Sequence, residues 1–205
     1  MGFYDKHILP HLINCACGLP AMMGQRAKLI PLATGRVIEL GIGTGLNLPF
    51  YDAKKVSAII GVDPAVGMHK KARERAEQIS IPVETVALEL EQIAAEDDSF
   101  DTAVSTFTLC TIPDAIAALH EVRRVLKPGG ELLFCEHGKS PDVGVYAWQQ
   151  RIQPFWKPMA GGCHLDRDIP AIIEQGGFRI VEMEKRYLKG PKPMTYVFRG
   201  RAVAV

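Results

Sequence analysis

Short apolar runs rich in branched residues alternate along the chain with stretches of helical period. Residues 37–40, 56–62, 83–88, 102–107 and 132–135 read as strands. Between them, Met68, Ala72, Ala76 and Ile79 fall three to four apart, as do Ile116, Leu119, Val122 and Leu126. Each set predicts a helix with one apolar stripe, the second starting at Pro113–Asp114 and stopping at Gly129–Gly130. Strands alternating with helices imply a mostly parallel sheet covered on both faces. After Gly177 the pattern changes to two strand-like runs, 178–184 and 196–203, joined by "KRYLKGPKPM". That predicts a terminal hairpin with an antiparallel last strand. Only residues 138–167 lack a clear period, and a long irregular segment inside a compact domain predicts function.

Composition narrows the setting. The 205 residues are 47% apolar and suit a single domain over 1–205. Within it, the pattern marks off an N-terminal helical segment over 1–34, an alternating strand–helix core over 35–137, a further segment over 138–177 and the hairpin over 178–205. A formal charge of +1 predicts no nucleic-acid partner, and the tightest basic group, His69 to Arg75, reads as a solvated helix face. Five cysteines, with no leader pattern, point to free thiols in the cytoplasm. No apolar run is long enough to cross a bilayer, although residues 8–24 could lie on one, so a peripheral membrane contact stays open. Composition leaves the oligomeric state unknown.

The chemistry begins at "VIELGIGTGLNLPFYD", where the first strand ends in Glu39 and then Gly41, Gly43 and Gly45 follow. Glycines at the carboxyl end of a parallel strand let a ligand lie against the backbone. A dinucleotide motif would place its third glycine at 46, where the chain has Leu46. Asp63, ending the strand "AIIGVD", is placed to meet ribose hydroxyls, so adenosine is implied without its attachment.

Taken together, "ELGIGTG", "GVDP", "DSFDTAVSTFTLCTIPD" and "LHEVRRVLKPGGELLF" resemble the class I S-adenosylmethionine-dependent methyltransferases over nearly the whole chain. "EHG" at 136–138, "WQQ" at 148–150 and "GCHLDRD" at 162–168 are similar to the thiol methyltransferases of the methyltransferase-like 7 group and their bacterial relatives. The resemblance implies a Rossmann-like fold of seven strands with the last antiparallel, S-adenosyl-L-methionine as cofactor and S-adenosyl-L-homocysteine as product. It further implies that Glu39 holds the methionine amino group through water, that Gly41, Gly43 and Gly45 lie along the cofactor, and that Asp63 binds the ribose. Glu89 would meet the adenine amino group, with Glu91 as its competitor, and Leu90 would offer its backbone N–H. Phe107 would stand where cofactor and acceptor come together.

For the acceptor, a small molecule, the candidates are Tyr4, Leu109, Cys110, Trp148, Gln149, Trp156 and His164. Tyr4, His7 and His11 share one face if residues 4–13 are helical, and Trp148, Gln149, Gln153 and Trp156 recur at near-helical spacing. Methyl transfer from a sulfonium is an in-line displacement, so positioning is the main task. A base is optional for a thiol, which is partly ionised at neutral pH, and His137 is the candidate base or orienting group. No metal site is expected, since Cys15, Cys17, Cys163 and His164 do not have knuckle spacing. The best expectation is S-methylation of a small thiol. The alternatives are N-, O- or C-methylation of a phospholipid headgroup amine or a quinone-like precursor, or a non-catalytic cofactor-binding protein.

Overall fold

A computed structural model describes the backbone of residues 9–205 and the side chains from residue 12 onward. Tyr4, His7 and His11 lie outside the described side chains. Seven strands form one sheet: β1 (Gly35–Leu40), β2 (Val56–Val62), β3 (Val83–Val86), β4 (Phe100–Thr106), β5 (Leu126–His137), β6 (Phe178–Tyr187) and β7 (Tyr196–Ala204). Their order is β3-β2-β1-β4-β5-β7-β6. The first five are mutually parallel, while β7 pairs antiparallel with both β5 and β6. The hairpin and its reversed last strand therefore match the sequence pattern.

The helices are α1 (Leu9–Cys17), α2 (Pro20–Leu29), α3 (Val66–Ala76), α4 (Ala115–Val125), α5 (Val143–Met159) and α6 (Ile169–Gln175). Alternation along the inner strands divides the core in two. Ile38 and Leu40 pack on one face with Leu119, Val122 and Phe134, while Val37, Ile59, Val104 and Leu133 pack on the other. Glu39 shares a face with Val37, which carries a carboxylate into the interior at the strand's end.

Strand ends shift by a few residues, the strand read over 132–135 lengthening to Leu126–His137, and two helices differ from the sequence reading. Helix α4 begins as expected, with the Asp114 carboxylate accepting from Ala117 N at 2.9 Å, but it stops at Val125 instead of at Gly129–Gly130. Pro128 has no N–H and disfavours helical geometry at Lys127, so the chain turns early and Leu126 already pairs with Phe100. Residues 143–159, read as aperiodic, form the 17-residue α5 with Pro154 and Pro158 inside it. Among the described residues no helix is long and apolar enough to cross a membrane.

Candidate active site

Beyond the carboxyl ends of β1, β2 and β4 the chain leaves a cavity of about 270 Å3. Open parallel sheets bind ligands at this edge, where connections leave in opposite directions. Its floor is the turn after β1. Gly41 and Gly43 have φ of +64° and +55°, the left-handed region that glycine enters freely. A Cβ on Gly43 would meet nothing nearer than 3.8 Å and would project into the cavity. Gly45 is a correction. It does not line the cavity, and a Cβ there would come within 2.8 Å of Leu48 Cδ1 and 3.1 Å of Ala72 Cα, so it serves the packing of the turn against α3.

Asp63 is buried at the end of β2. Its Oδ2 accepts from Gly43 N at 2.9 Å and its Oδ1 from Ala65 N at 2.8 Å. Burial raises its pKa, and the two backbone donors pull the other way. His69, expected on a solvated face, is buried instead, with Nε2 2.8 Å from the Asp63 carbonyl oxygen. The imidazole thus fixes the backbone that carries the carboxylate.

A polar relay closes the other end. Tyr51 Oη donates to Glu39 Oε2 at 2.7 Å, and Asn47 Nδ2 donates to Glu39 Oε1 at 2.9 Å. Arg26 Nη1 in turn donates to Asn47 Oδ1 at 2.6 Å and to Thr106 Oγ1 at 2.5 Å. Both Glu39 and Arg26 are buried and line the cavity. Arg26 Nε is buried without a hydrogen-bond partner among the described residues. Burial lifts the Glu39 pKa to about 7 against the opposing pull of Tyr51, Arg26 and Asn47. An acid and a guanidinium a relay apart can hold the two ends of an amino acid. Asn47 and Tyr51 stand in the same stretch as the glycines and were legible as polar residues after Glu39. Arg26 precedes the first strand, and no motif marks it.

Glu89, Leu90 and Glu91 all line the cavity. Glu91 Oε1 also lies 3.4 Å from Asp114 N, which ties it to the start of α4. Phe107 takes φ of +58° just after β4, an uncommon conformation for a bulky residue, and its ring faces both the cavity and Arg26, 5.3 Å away. Ile13, Asn14 and Cys17 of α1 complete the wall, with Thr44 Oγ1 donating to Asn14 Oδ1 at 2.6 Å.

The remaining candidates stand elsewhere. His137 sits behind Phe107, ring centroids 4.9 Å apart, and is not on the cavity wall. Leu109 is core, fully buried with Ile112 and Leu119. Cys110 packs under the wall with Cys163, Leu165 and Trp156. Trp148 points outward, 55% exposed, beneath the Arg151 guanidinium. Gln149 is a buried brace, accepting from Ser140 N at 2.9 Å and donating to the carbonyls of Gly138 and Pro193. His164 is half-buried beside Asp166. None of these six lines the cavity, and neither does Trp156, also expected at the acceptor, which packs in the cluster around Cys110 and Cys163. Gln149, Gln153 and Trp156, not Trp148, form the inward stripe of α5, because the spacing of four then three fits the helical turn.

Burial pushes the Cys135 thiol up to about 12. Of the facing pair, Cys163 is held well below the ordinary thiol range because Cys110 stabilises its thiolate, and Cys110 is pushed well above it.

Comparison with known proteins gives four findings. The family described as "Methyltransferase domain" matches residues 38–134. Thiol S-methyltransferase TMT1B is 37% identical in Rattus norvegicus, over 72% of this chain and 62% of that protein, and 34% identical in Homo sapiens, over 80% and 68%. Phosphatidylethanolamine N-methyltransferase of Cereibacter sphaeroides is 29% identical, over 72% of each chain. The chain thus spans about two thirds of the length of these relatives. In three dimensions it superposes with a TM-score of 0.68 on a SAM-dependent methyltransferase from Aquifex aeolicus, with 20% identity over 96% of this chain and 98% of that one.

Proposed function

Because the chain belongs to the S-adenosylmethionine-dependent methyltransferases, we propose that it transfers the methyl group of that cofactor to the sulfur of a small, fairly apolar thiol. The observation that carries this reading is the set of side chains lining the cavity. Its lining mixes polar groups, Asp63, Glu39, Arg26 and Glu89, with apolar ones, Ile13, Cys17, Phe107, Ile112 and Pro113. In this reading Asp63 accepts from the ribose hydroxyls, and Glu39 and Arg26 hold the ammonium and carboxylate of the methionine portion. Glu89 and the Leu90 N–H take the adenine. The apolar part of the lining suits a thiol better than a charged metabolite, and the TMT1B relatives methylate thiols by name.

The rival acceptor is the amine of a phosphatidylethanolamine headgroup, which the Cereibacter relative favours. The deciding experiment is a screen of alkyl and aryl thiols against vesicles containing phosphatidylethanolamine, read as S-adenosylhomocysteine release. Turnover with thiols alone supports the proposal, and turnover with vesicles alone sinks it. For a thiol, kcat/KM should rise with pH toward the pKa of the substrate itself.

His137 stands behind Phe107 and acts here by orienting that ring, not as a base. His137→Ala should therefore lower thiol turnover less than about 10-fold, whereas loss of a general base costs roughly 10²-fold or more. Asp63→Ala should weaken S-adenosylmethionine binding by about 10- to 100-fold, since hydrogen bonds to a charged acceptor contribute about 1.5–3 kcal/mol. Isothermal titration measures this, and unchanged affinity would remove Asp63 from the site.

A further inference from the structure

The side chains of Cys110, His137 and Cys163 come together from three separate segments: the loop after β4, the end of β5 and the turn after α5. Their donor atoms all lie within 4.8 Å of one another. We propose that these three residues form a binding site for a soft divalent metal ion, zinc foremost, held by two thiolates and one imidazole with a fourth position left for an exogenous ligand.

The geometry suits the ion. Cys110 Sγ and Cys163 Sγ are 3.7 Å apart. In a tetrahedral site with zinc–sulfur bonds of about 2.3 Å, the sulfur–sulfur edge is roughly 3.8 Å, whereas a disulfide would need about 2.05 Å. His137 Nε2 is buried, meets no hydrogen-bond geometry among the described residues, and has the Cys163 sulfur as its polar neighbour. A buried imidazole nitrogen that faces sulfur alone is placed to share a metal ion with it. The charges also balance. With both sulfurs deprotonated, two thiolates and a neutral imidazole cancel the ion's double charge.

The donors are braced by groups other than themselves. His164 N donates to the Cys110 carbonyl oxygen at 2.8 Å, and Gln153 Nε2 donates to that of Cys163 at 3.0 Å. The buried Glu136 carboxylate accepts from Ser105 Oγ, Thr108 N and Cys110 N, fixing the loop that carries the first thiol. Such outer partners commonly hold metal ligands in place. Trp156 Nε1 is buried in the same cluster and faces the Cys163 sulfur. Three protein donors with an open fourth position are the pattern of reactive zinc sites, while structural sites use four. Thr111 and Gly161, close in the chain to Cys110 and Cys163, line the cofactor cavity, so the ion would sit just behind its wall.

The test uses the full chain, reduced with a phosphine that does not compete as a thiol and freed of metal by chelation. Cobalt(II) added to it should give an intense near-ultraviolet thiolate charge-transfer band with tetrahedral visible bands. Zinc should bleach these bands at about one equivalent and should be withdrawn from a chromophoric chelator of micromolar affinity. Cys110→Ser/Cys163→Ser should lose both signals. If the unmutated chain gives no charge-transfer band and leaves zinc with the chelator, the site does not exist. If the double variant keeps the band with undiminished intensity, the metal is bound elsewhere, for instance at Cys15 and Cys17, and the assignment is equally overturned. Neither readout involves methyl transfer, so both outcomes are independent of the acceptor.

Discussion

Gly43→Val is expected to abolish S-adenosylmethionine binding, by at least about 10²-fold, while leaving most of the chain folded. Gly43 holds φ of +55°, and its missing side chain borders empty cavity, with the nearest atom to a hypothetical Cβ 3.8 Å away. A branched residue in the left-handed region costs about 1–2 kcal/mol, which a domain of this size withstands. The affinity loss is larger because two methyl groups would fill the space between the turn and the Asp63 carboxylate. Gly45→Ala supplies the contrast. Its Cβ would strike Leu48 and the α3 backbone, so it should lower the melting temperature and spare the affinity of the folded fraction. Titration calorimetry with thermal denaturation separates the two. Normal binding by folded Gly43→Val would place the cofactor away from this turn.

Glu39→Gln should weaken the cofactor by roughly 10- to 100-fold and remove a pH dependence from the stability of the ligand-free protein. The carboxyl has an ordinary pKa of 4.5, raised by burial to about 7 in the fold. The folded state therefore holds the proton more tightly than the unfolded one. Its contribution to stability is complete below pH 4.5 and is lost as the pH rises to about 7 and beyond. At 1.36 kcal/mol per pH step, that interval amounts to roughly 3 kcal/mol, or about 6–12 °C in melting temperature. Glutamine can keep partners at Tyr51 and Asn47 without the charge. The variant should melt at nearly the same temperature at pH 5 and pH 8, once the slope from other groups is subtracted, where the parent chain declines. S-adenosylmethionine, whose ammonium favours the carboxylate, should restore the parent at pH 8 and leave the variant almost unmoved. A parent chain whose melting temperature does not fall between those pH values would contradict a proton on Glu39.

The sheet and the turn that floors the cavity are readable from the chain because local signals coincide there. Branched runs mark the strands, glycines mark the turn, and the acidic residues follow at fixed points. What lay beyond reading was tertiary. Pro154 disguised α5 as irregular, since proline is costly inside a helix and only surrounding packing overrides it. Trp148 and Gln149 were both placed at the acceptor because periodicity finds a stripe but not the side it faces; one lies in solvent and the other braces Ser140 and Gly138. Leu109, expected at the acceptor, is fully buried in the core, because an apolar residue after a strand looks the same in sequence whether it faces a pocket or the interior. Arg26 carries no motif, and its meaning appears only when α2 lays it against Asn47 and Thr106. The meeting of Cys110, His137 and Cys163 has no local spacing at all, because three segments must fold before the donors converge.

The position of β7 bears on how the chain is made. The last strand in sequence is an inner strand of the sheet, between β5 and β6. While the ribosome is still producing α5, α6 and β6, the polar edge of β5 has no partner on that side, and β6 has nothing in the sheet to join. An unpaired edge is a template for other chains. The interval in which this protein can aggregate therefore runs until residues 196–204 emerge, and it closes in a single step that seats two strands at once.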